Sequence, residues 1–436
     1  MAIEPSSIPI IIRGRYFWRG DARPQKNNLQ PGEVNDPIAD DRIHELEQNV
    51  SLLTELGINT LFIYFIDSQK PHDKAMKLLE QAGIYVVAIN GTLSDSRLTT
   101  QTQTVATPFN CINRANPYSS YNSDNVIHFL RTAGIMSCYP NTLGLTAADA
   151  VINSHHSLRA TPVIKAVIRD LKKYMIWSNK YNGTRILPVS YSAADVLNIT
   201  RPQGFLEYLY LGDQASAVDF WMCKNYSWVG ESSMAMSGWD SFLSRYEKFA
   251  IPAFLSEYGT NLIRPRQFHE TRALYSDPMT RVFSGGCVYD FAESPNGYGL
   301  VALPGTDETG WFGKSDIVET HGSETRDTDA GKLYILHDFG NYKAALAEPT
   351  SHNSSWSTME LEAVERHNVD TSLMSWPWGS ELQMPETCID WDNIEELIGA
   401  GMPSFLETVT QRLESTSILE RTSGQAEHGS TCRTDD

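Results

Sequence analysis

Over roughly its first three hundred residues the chain alternates short β-branched, apolar runs with longer stretches of helical periodicity. No other feature of the sequence limits the fold so tightly. Strand-like runs fall at residues 15–18, 60–66, 84–89, 143–147, 186–190, 218–223, 252–256 and 286–290. Helical spacing lies between them at 40–56, 72–82, 162–177, 238–249 and 268–283. A strand followed by a helix is the unit of a parallel sheet, because a parallel neighbour is reached only by a crossover. Eight such strands is the count for an α/β fold of the (β/α)8, or TIM-barrel, type, whose sites lie at the C-terminal strand ends. Periodicity alone also permits an open doubly wound sheet, but no Gly-rich phosphate loop follows any of these strands.

Two regions depart from the pattern. Residues 90–104 are polar and rich in Thr and Ser, and read either as a long loop or as inserted sequence. Beyond Leu346 the chain turns to Ser, Thr, Glu and His with little periodicity. The expected organisation is a barrel domain over 10–345 and a weakly ordered tail over 346–436. Trp376-Pro377-Trp378 and residues 394–406 are the tail's expected structured islands, the latter as a short helix.

At 436 residues the chain is long enough for one large core. Its formal net charge of −18 argues against a nucleic-acid partner, which needs a basic footprint. A neutral polymer meets no such objection. Six cysteines without CxxC spacing suggest neither a zinc site nor a dense disulfide framework. His155-His156 has no suitably spaced acidic partner, so no metal and no cofactor is expected. The opening Met1-Ala2-Ile3-Glu4-Pro5 does not read as a secretory signal, and no stretch approaches a transmembrane length. The closing Thr434-Asp435-Asp436 lacks a hydrophobic anchor tail, so the expectation is a soluble chain without an address.

A series of local strings occurs in the order of one known family. Asp36-Pro37-Ile38-Ala39-Asp40 is followed by Glu55-Leu56-Gly57-Ile58-Asn59-Thr60, with Tyr64 and Asp67 after it. Then come Ile112-Asn113-Arg114, Asn141-Thr142-Leu143-Gly144, Val151-Ile152-Asn153 and Tyr191-Ser192-Ala193-Ala194-Asp195. Ser256-Glu257-Tyr258-Gly259, Arg264-Pro265-Arg266, Ser284-Gly285-Gly286 and Tyr298-Gly299-Leu300-Val301 complete the set. From about residue 10 to 345 the chain thereby resembles the fungal β-1,3-glucanosyltransferases of glycoside hydrolase family 72. The resemblance implies a TIM-barrel domain acting on β-1,3-glucan of the cell wall by retaining transglycosylation. It also implies a cell-surface or cell-wall setting, for which this sequence shows no signal.

Retaining chemistry needs two carboxyl groups about 5 Å apart, one to attack the anomeric carbon and one to move the proton. The resemblance puts Glu257 at the nucleophile position, at the end of a predicted strand. It puts Ala150 at the acid/base position, because Ala148-Asp149-Ala150 stands where the family has Gly-Asn-Glu. An alanine transfers no proton. Asp149 is the one nearby rescue, although strand alternation turns adjacent side chains to opposite faces. Tyr64, Tyr226 and Tyr289 match family tyrosines and are the expected substrate contacts, while Lys224 and Phe62 replace a family Asn and Arg. Leu46 with Ala75, and Val229 with Thr260, stand where the resemblance places two disulfides. Three readings follow: an impaired transglycosylase, a non-catalytic glucan-binding protein, and a relic without activity.

Overall fold

The computed structural model describes residues 12–13, 36–89, 111–194, 202–247, 251–293, 297–302, 322–328, 331–347 and 383–399. Its centre is an eight-stranded parallel sheet: β1 (Ile12–Arg13), β2 (Thr60–Ile63), β3 (Tyr85–Ile89), β4 (Thr142–Asp149), β5 (Val189–Ala193), β6 (Phe220–Asn225), β7 (Ala253–Tyr258) and β8 (Phe283–Val288). The strand order is β1-β8-β7-β6-β5-β4-β3-β2, so the first strand pairs with the last. Among the described residues no ladder joins β1 to β2, but β2 approaches β8 across β1, as a sheet curled into a barrel requires. The expected (β/α)8 architecture is therefore what forms. The predicted first strand at 15–18 and the polar segment at 90–104 lie outside the described residues.

Alternation along each strand sorts side chains into two cores. Phe62, Val87, Ile89, Phe220, Met222, Phe254 and Cys287 point inward and fill the lumen. Leu61, Ile63, Val86, Ala88, Leu145, Val189, Trp221 and Leu255 point outward into the larger core beneath the helices. Phe62 is completely buried and packs in the lumen. Helix Ile43–Leu56 shows how sequence sets an element. Leu46, Val50, Leu53 and Leu56 bury one stripe at helical spacing, and Gly57 ends the helix in the left-handed conformation at φ 76°. Leu46 and Ala75 are both fully buried, on helices Ile43–Leu56 and Asp73–Gln81, which pack together.

Several expectations shift. The predicted helix at 268–283 divides into His269–Leu274 and Asp277–Thr280, and Phe283 already begins β8. Pro278 takes the second position of the latter helix, where a missing N–H does no harm. Helices Ser123–Met136 and Pro202–Tyr210 and a small antiparallel sheet were not anticipated. That sheet consists of β9 (Val301–Ala302), β10 (Gly322–Thr328) and β11 (Gly331–Leu336), in the order β10-β11-β9. No helix among the described residues is long and apolar enough to cross a membrane.

Candidate functional site

The sequence-predicted residues gather at the C-terminal ends of the strands. Glu257 is the penultimate residue of β7, Asp149 the last of β4, and Lys224 the penultimate of β6. Tyr64 follows β2 directly and Tyr289 follows β8 directly. Irregularities in the β6–β7 and β7–β8 ladders sit beside Glu257, which is how a strand end re-aims a side chain.

Glu257 is buried, 7% exposed, and its carboxylate is surrounded by donors. The Tyr64 hydroxyl donates to Oε1 and the Tyr226 hydroxyl to Oε2. Lys224 Nζ lies 2.9 Å from Oε1. Tyr64 thus reaches across the barrel mouth from the β2 side to β7. The same ammonium donates to Asp149 Oδ2 at 2.7 Å. Asp149 Oδ2 and Glu257 Oε1 are therefore no farther apart than those two distances laid end to end, about 5.6 Å. Burial acts to lower the Lys224 pKa, but the charges of Asp149 and Glu257 outweigh it and hold the ammonium above the usual lysine range.

Strand alternation predicts that Asp149 turns away from the cleft. Instead its carboxylate faces Lys224 and, through it, Glu257. The strand rule fails here because the β4–β5 ladder is irregular between Thr146 and Asp149, where three steps along β4 run against two along β5 and the alternation shifts by one. Ala150 adopts a left-handed φ of 49°, one of two non-Gly residues with positive φ among those described. Its peptide is tied on both sides: its N–H donates to Ser192 O at 2.8 Å, and Arg114 Nη2 donates to its carbonyl at 3.0 Å. The backbone of the predicted acid/base position is thus firmly built, and its side chain is a methyl group.

Tyr289 belongs to the same wall as Tyr226. Its ring meets Tyr226 edge-to-face at 6.2 Å and Tyr298 at 5.0 Å, and Tyr226 meets Tyr298 at 6.0 Å. Tyr298 was not anticipated as a site residue, although it lies in one of the matched strings. Arg266 supports it, donating to the Tyr298 carbonyl at 2.7 Å with its guanidinium 5.6 Å from the ring centre. Arg114 was also missed, and its matched string carried the only available signal. The Asp149–Lys224 contact had none, because the two lie 75 residues apart. Among the described residues no group of His, Cys, Asp and Glu is arranged to hold a metal ion.

A parallel barrel with a carboxylate at the end of β7, bonded by tyrosines at the mouth, is a (β/α)8 protein with its candidate site at the C-terminal strand ends. Comparison with known proteins is specific. A family model described as Glucanosyltransferase, of glycoside hydrolase family 72, matches residues 12–319, and the chain belongs to that family. It is 37% identical over 314 residues to the 1,3-beta-glucanosyltransferase GAS5 of Saccharomyces cerevisiae, covering 70% of this chain and 60% of the relative. It is 38% identical over 304 residues to the 1,3-beta-glucanosyltransferase gel1 of Aspergillus fumigatus, covering 69% and 62%. The chain thus spans about three fifths of the length of these curated relatives. Among solved structures, Saccharomyces cerevisiae Gas2p in complex with laminaripentaose superposes with a TM-score of 0.64 at 29% identity, covering 86% of this chain and 73% of that one.

Proposed function

We propose that this chain binds β-1,3-glucan at the mouth of its barrel and that its capacity for transglycosylation is severely impaired. Support for the ligand comes from the relatives, which are named 1,3-beta-glucanosyltransferases, and from the laminaripentaose complex of a similar structure. The observation that carries the impairment is the asymmetry of the site. Glu257 retains a nucleophile's position and its tyrosine donors, while position 150 offers a methyl group on a well-held backbone.

In retaining transfer, Glu257 would attack the anomeric carbon while a second carboxyl group protonates the departing sugar oxygen. That second group would then take a proton from the incoming sugar hydroxyl. Ala150 performs neither proton transfer, and general acid–base assistance is worth roughly 10²–10⁴-fold. A second reading keeps Asp149 as the proton donor. It is favoured by the spacing of at most about 5.6 Å from Glu257, which suits a retaining pair. It is also favoured by burial, which together with the Glu257 charge raises the Asp149 pKa above the ordinary carboxylate value. Against it, the Lys224 ammonium bonded to Asp149 opposes that rise by favouring the ionised form.

The test is a laminari-oligosaccharide assay that follows binding by calorimetry and transfer by chromatography of longer products. The expected result is binding by the unmodified chain without elongated products. The Ala150→Glu/Asp149→Asn/Lys224→Asn variant is expected to gain transfer of at least ~10²-fold. Elongated products from the unmodified chain would make Asp149 the donor, and absence of binding would remove the glucan reading.

A further inference from the structure

Lys224 stands opposite Glu257 in the β6–β7 ladder, and its side chain crosses the mouth of the barrel to Asp149 on β4. The crossing passes the β5 residue paired with Asp149, Ser192, whose small side chain lies 2.8 Å from Ser256 Oγ and also hydrogen-bonds Asp149. The ammonium also lies 5.8 Å from the ring centre of Tyr64. Around Glu257 the near positions are taken, with Tyr64 and Lys224 on Oε1 and Tyr226 on Oε2. A sugar presented for attack must bring its anomeric carbon within about 3–3.5 Å of a carboxylate oxygen. Lys224 Nζ, 2.9 Å from Oε1, stands in that shell.

We propose that Lys224, anchored by Asp149, is an internal occupant of the cleft, taking the space between the two carboxylates that a glucose unit must enter. The side chain then sets how deeply and how tightly the cleft admits a β-1,3-glucan, an inference that rests on the glucan reading given above. Charge explains why the two residues belong together. Asp149 without Lys224 would face Glu257 as a second buried carboxylate with no counter-ion. Lys224 without Asp149 would lose the anchor that holds it across the mouth. The ammonium also opposes the chemistry itself, because the anomeric centre becomes positively charged as the glycosidic bond breaks.

The experiment titrates laminaripentaose into the full chain and its Lys224→Asn, Asp149→Asn and doubly substituted variants, with thermal unfolding of each. The double variant is expected to bind roughly tenfold or more tightly than the unmodified chain. Lys224→Asn alone is expected to lower the unfolding temperature, with Asp149→Asn restoring most of the loss. Measurable affinities within twofold of one another overturn the inference and leave the glucan reading standing. No binding by any of the four removes the glucan reading and this inference with it. Unfolding shifts that simply add across the cycle also overturn the inference, since they show that Asp149 does not anchor Lys224.

Discussion

At Ala150 the chain keeps a backbone shape that its side chain does not require. A left-handed φ places Cβ against the carbonyl oxygen, at a cost of roughly 1–2 kcal/mol for any residue except glycine. Such strain persists where surrounding structure over-determines it, and here Arg114 and the Ser192 carbonyl hold the peptide from both sides. Glycine removes the clash but gains freedom in the unfolded chain. Ala150→Gly is therefore expected to stabilise the protein by a net of about 0.5–1 kcal/mol, read as a higher midpoint in urea with unchanged slope. A midpoint that falls would show that the methyl group packs usefully. Glu257 and Tyr64 were legible in sequence because they belong to matched strings, and Tyr226 only as a single matched tyrosine. Lys224 was legible only as a substitution. Its pairing with Asp149 depends on how β4, β5 and β6 lie side by side, which no local pattern encodes.

Among elements, the segment ahead of helix Ile43–Leu56 is fastened to the loop after β2 by a backbone bond from Asp40 N to Pro71 O, an ion pair between Lys70 and Asp41, and the buried carboxylate of Asp36. Asp36 Oδ1 accepts from Ile38 N at 2.9 Å, and Oδ2 accepts from Asp67 N at 2.7 Å. His72 Nε2 lies 2.6 Å from the same Oδ2, and both side chains are wholly buried. Burial works against the imidazolium, but the charge of Asp36 and its hydrogen bond prevail, and the His72 pKa rises above its ordinary 6.5. The folded protein thus holds that proton more firmly than the unfolded chain does. The stabilisation is complete below about pH 6.5 and fades as pH rises through the folded value. Replacing His72 with Gln is expected to cost about 3–5 kcal/mol at pH 5.5–6 and less at pH 8.5. A stability gap that stays constant with pH would show that the pair is neutral when folded. Strand positions were legible from their β-branched runs, but their ends were not. The run at 186–190 slid to Val189–Ala193, because the ladder starts only after Pro188, which has no N–H to contribute. The antiparallel sheet escaped notice because β10, Gly-Ser-Glu-Thr-Arg-Asp-Thr, is mostly exposed and has no apolar face.

For the molecule as a whole, the question is where the folding unit ends. Composition places the end of the barrel domain at residue 345, yet residues 383–399 lie along helices Ser123–Met136 and Thr161–Asn182 as a strap. Tyr118 Oη donates to Gln383 O and Arg169 Nη1 to Pro385 O, each at 2.9 Å. Lys173 stands 4.2 Å over the Trp391 ring, and Arg131 closes the strap by donating to the carbonyls of Leu397 and Ile398 at 3.1 and 3.3 Å. A cation on the last carbonyls of helix Ile394–Gly399 also meets the negative end of its dipole. Ile389, Ile394 and Ile398 are each 5% exposed or less and join the same core as the barrel's outer face. Burying three such side chains contributes about 1.5–3 kcal/mol each, offset in part by the cost of ordering the strap's backbone. A chain ending at residue 382 is therefore expected to lose about 2–4 kcal/mol and to unfold several degrees lower. A smaller loss in the same direction is expected from Ile394→Ala combined with Ile398→Ala. Both are measured by calorimetry against the full chain. Unchanged unfolding of the truncated chain would place the end of the cooperative unit before the strap. A matching loss in truncation and double substitution would extend it through residue 399, because the apolar anchors alone would then account for the strap's hold.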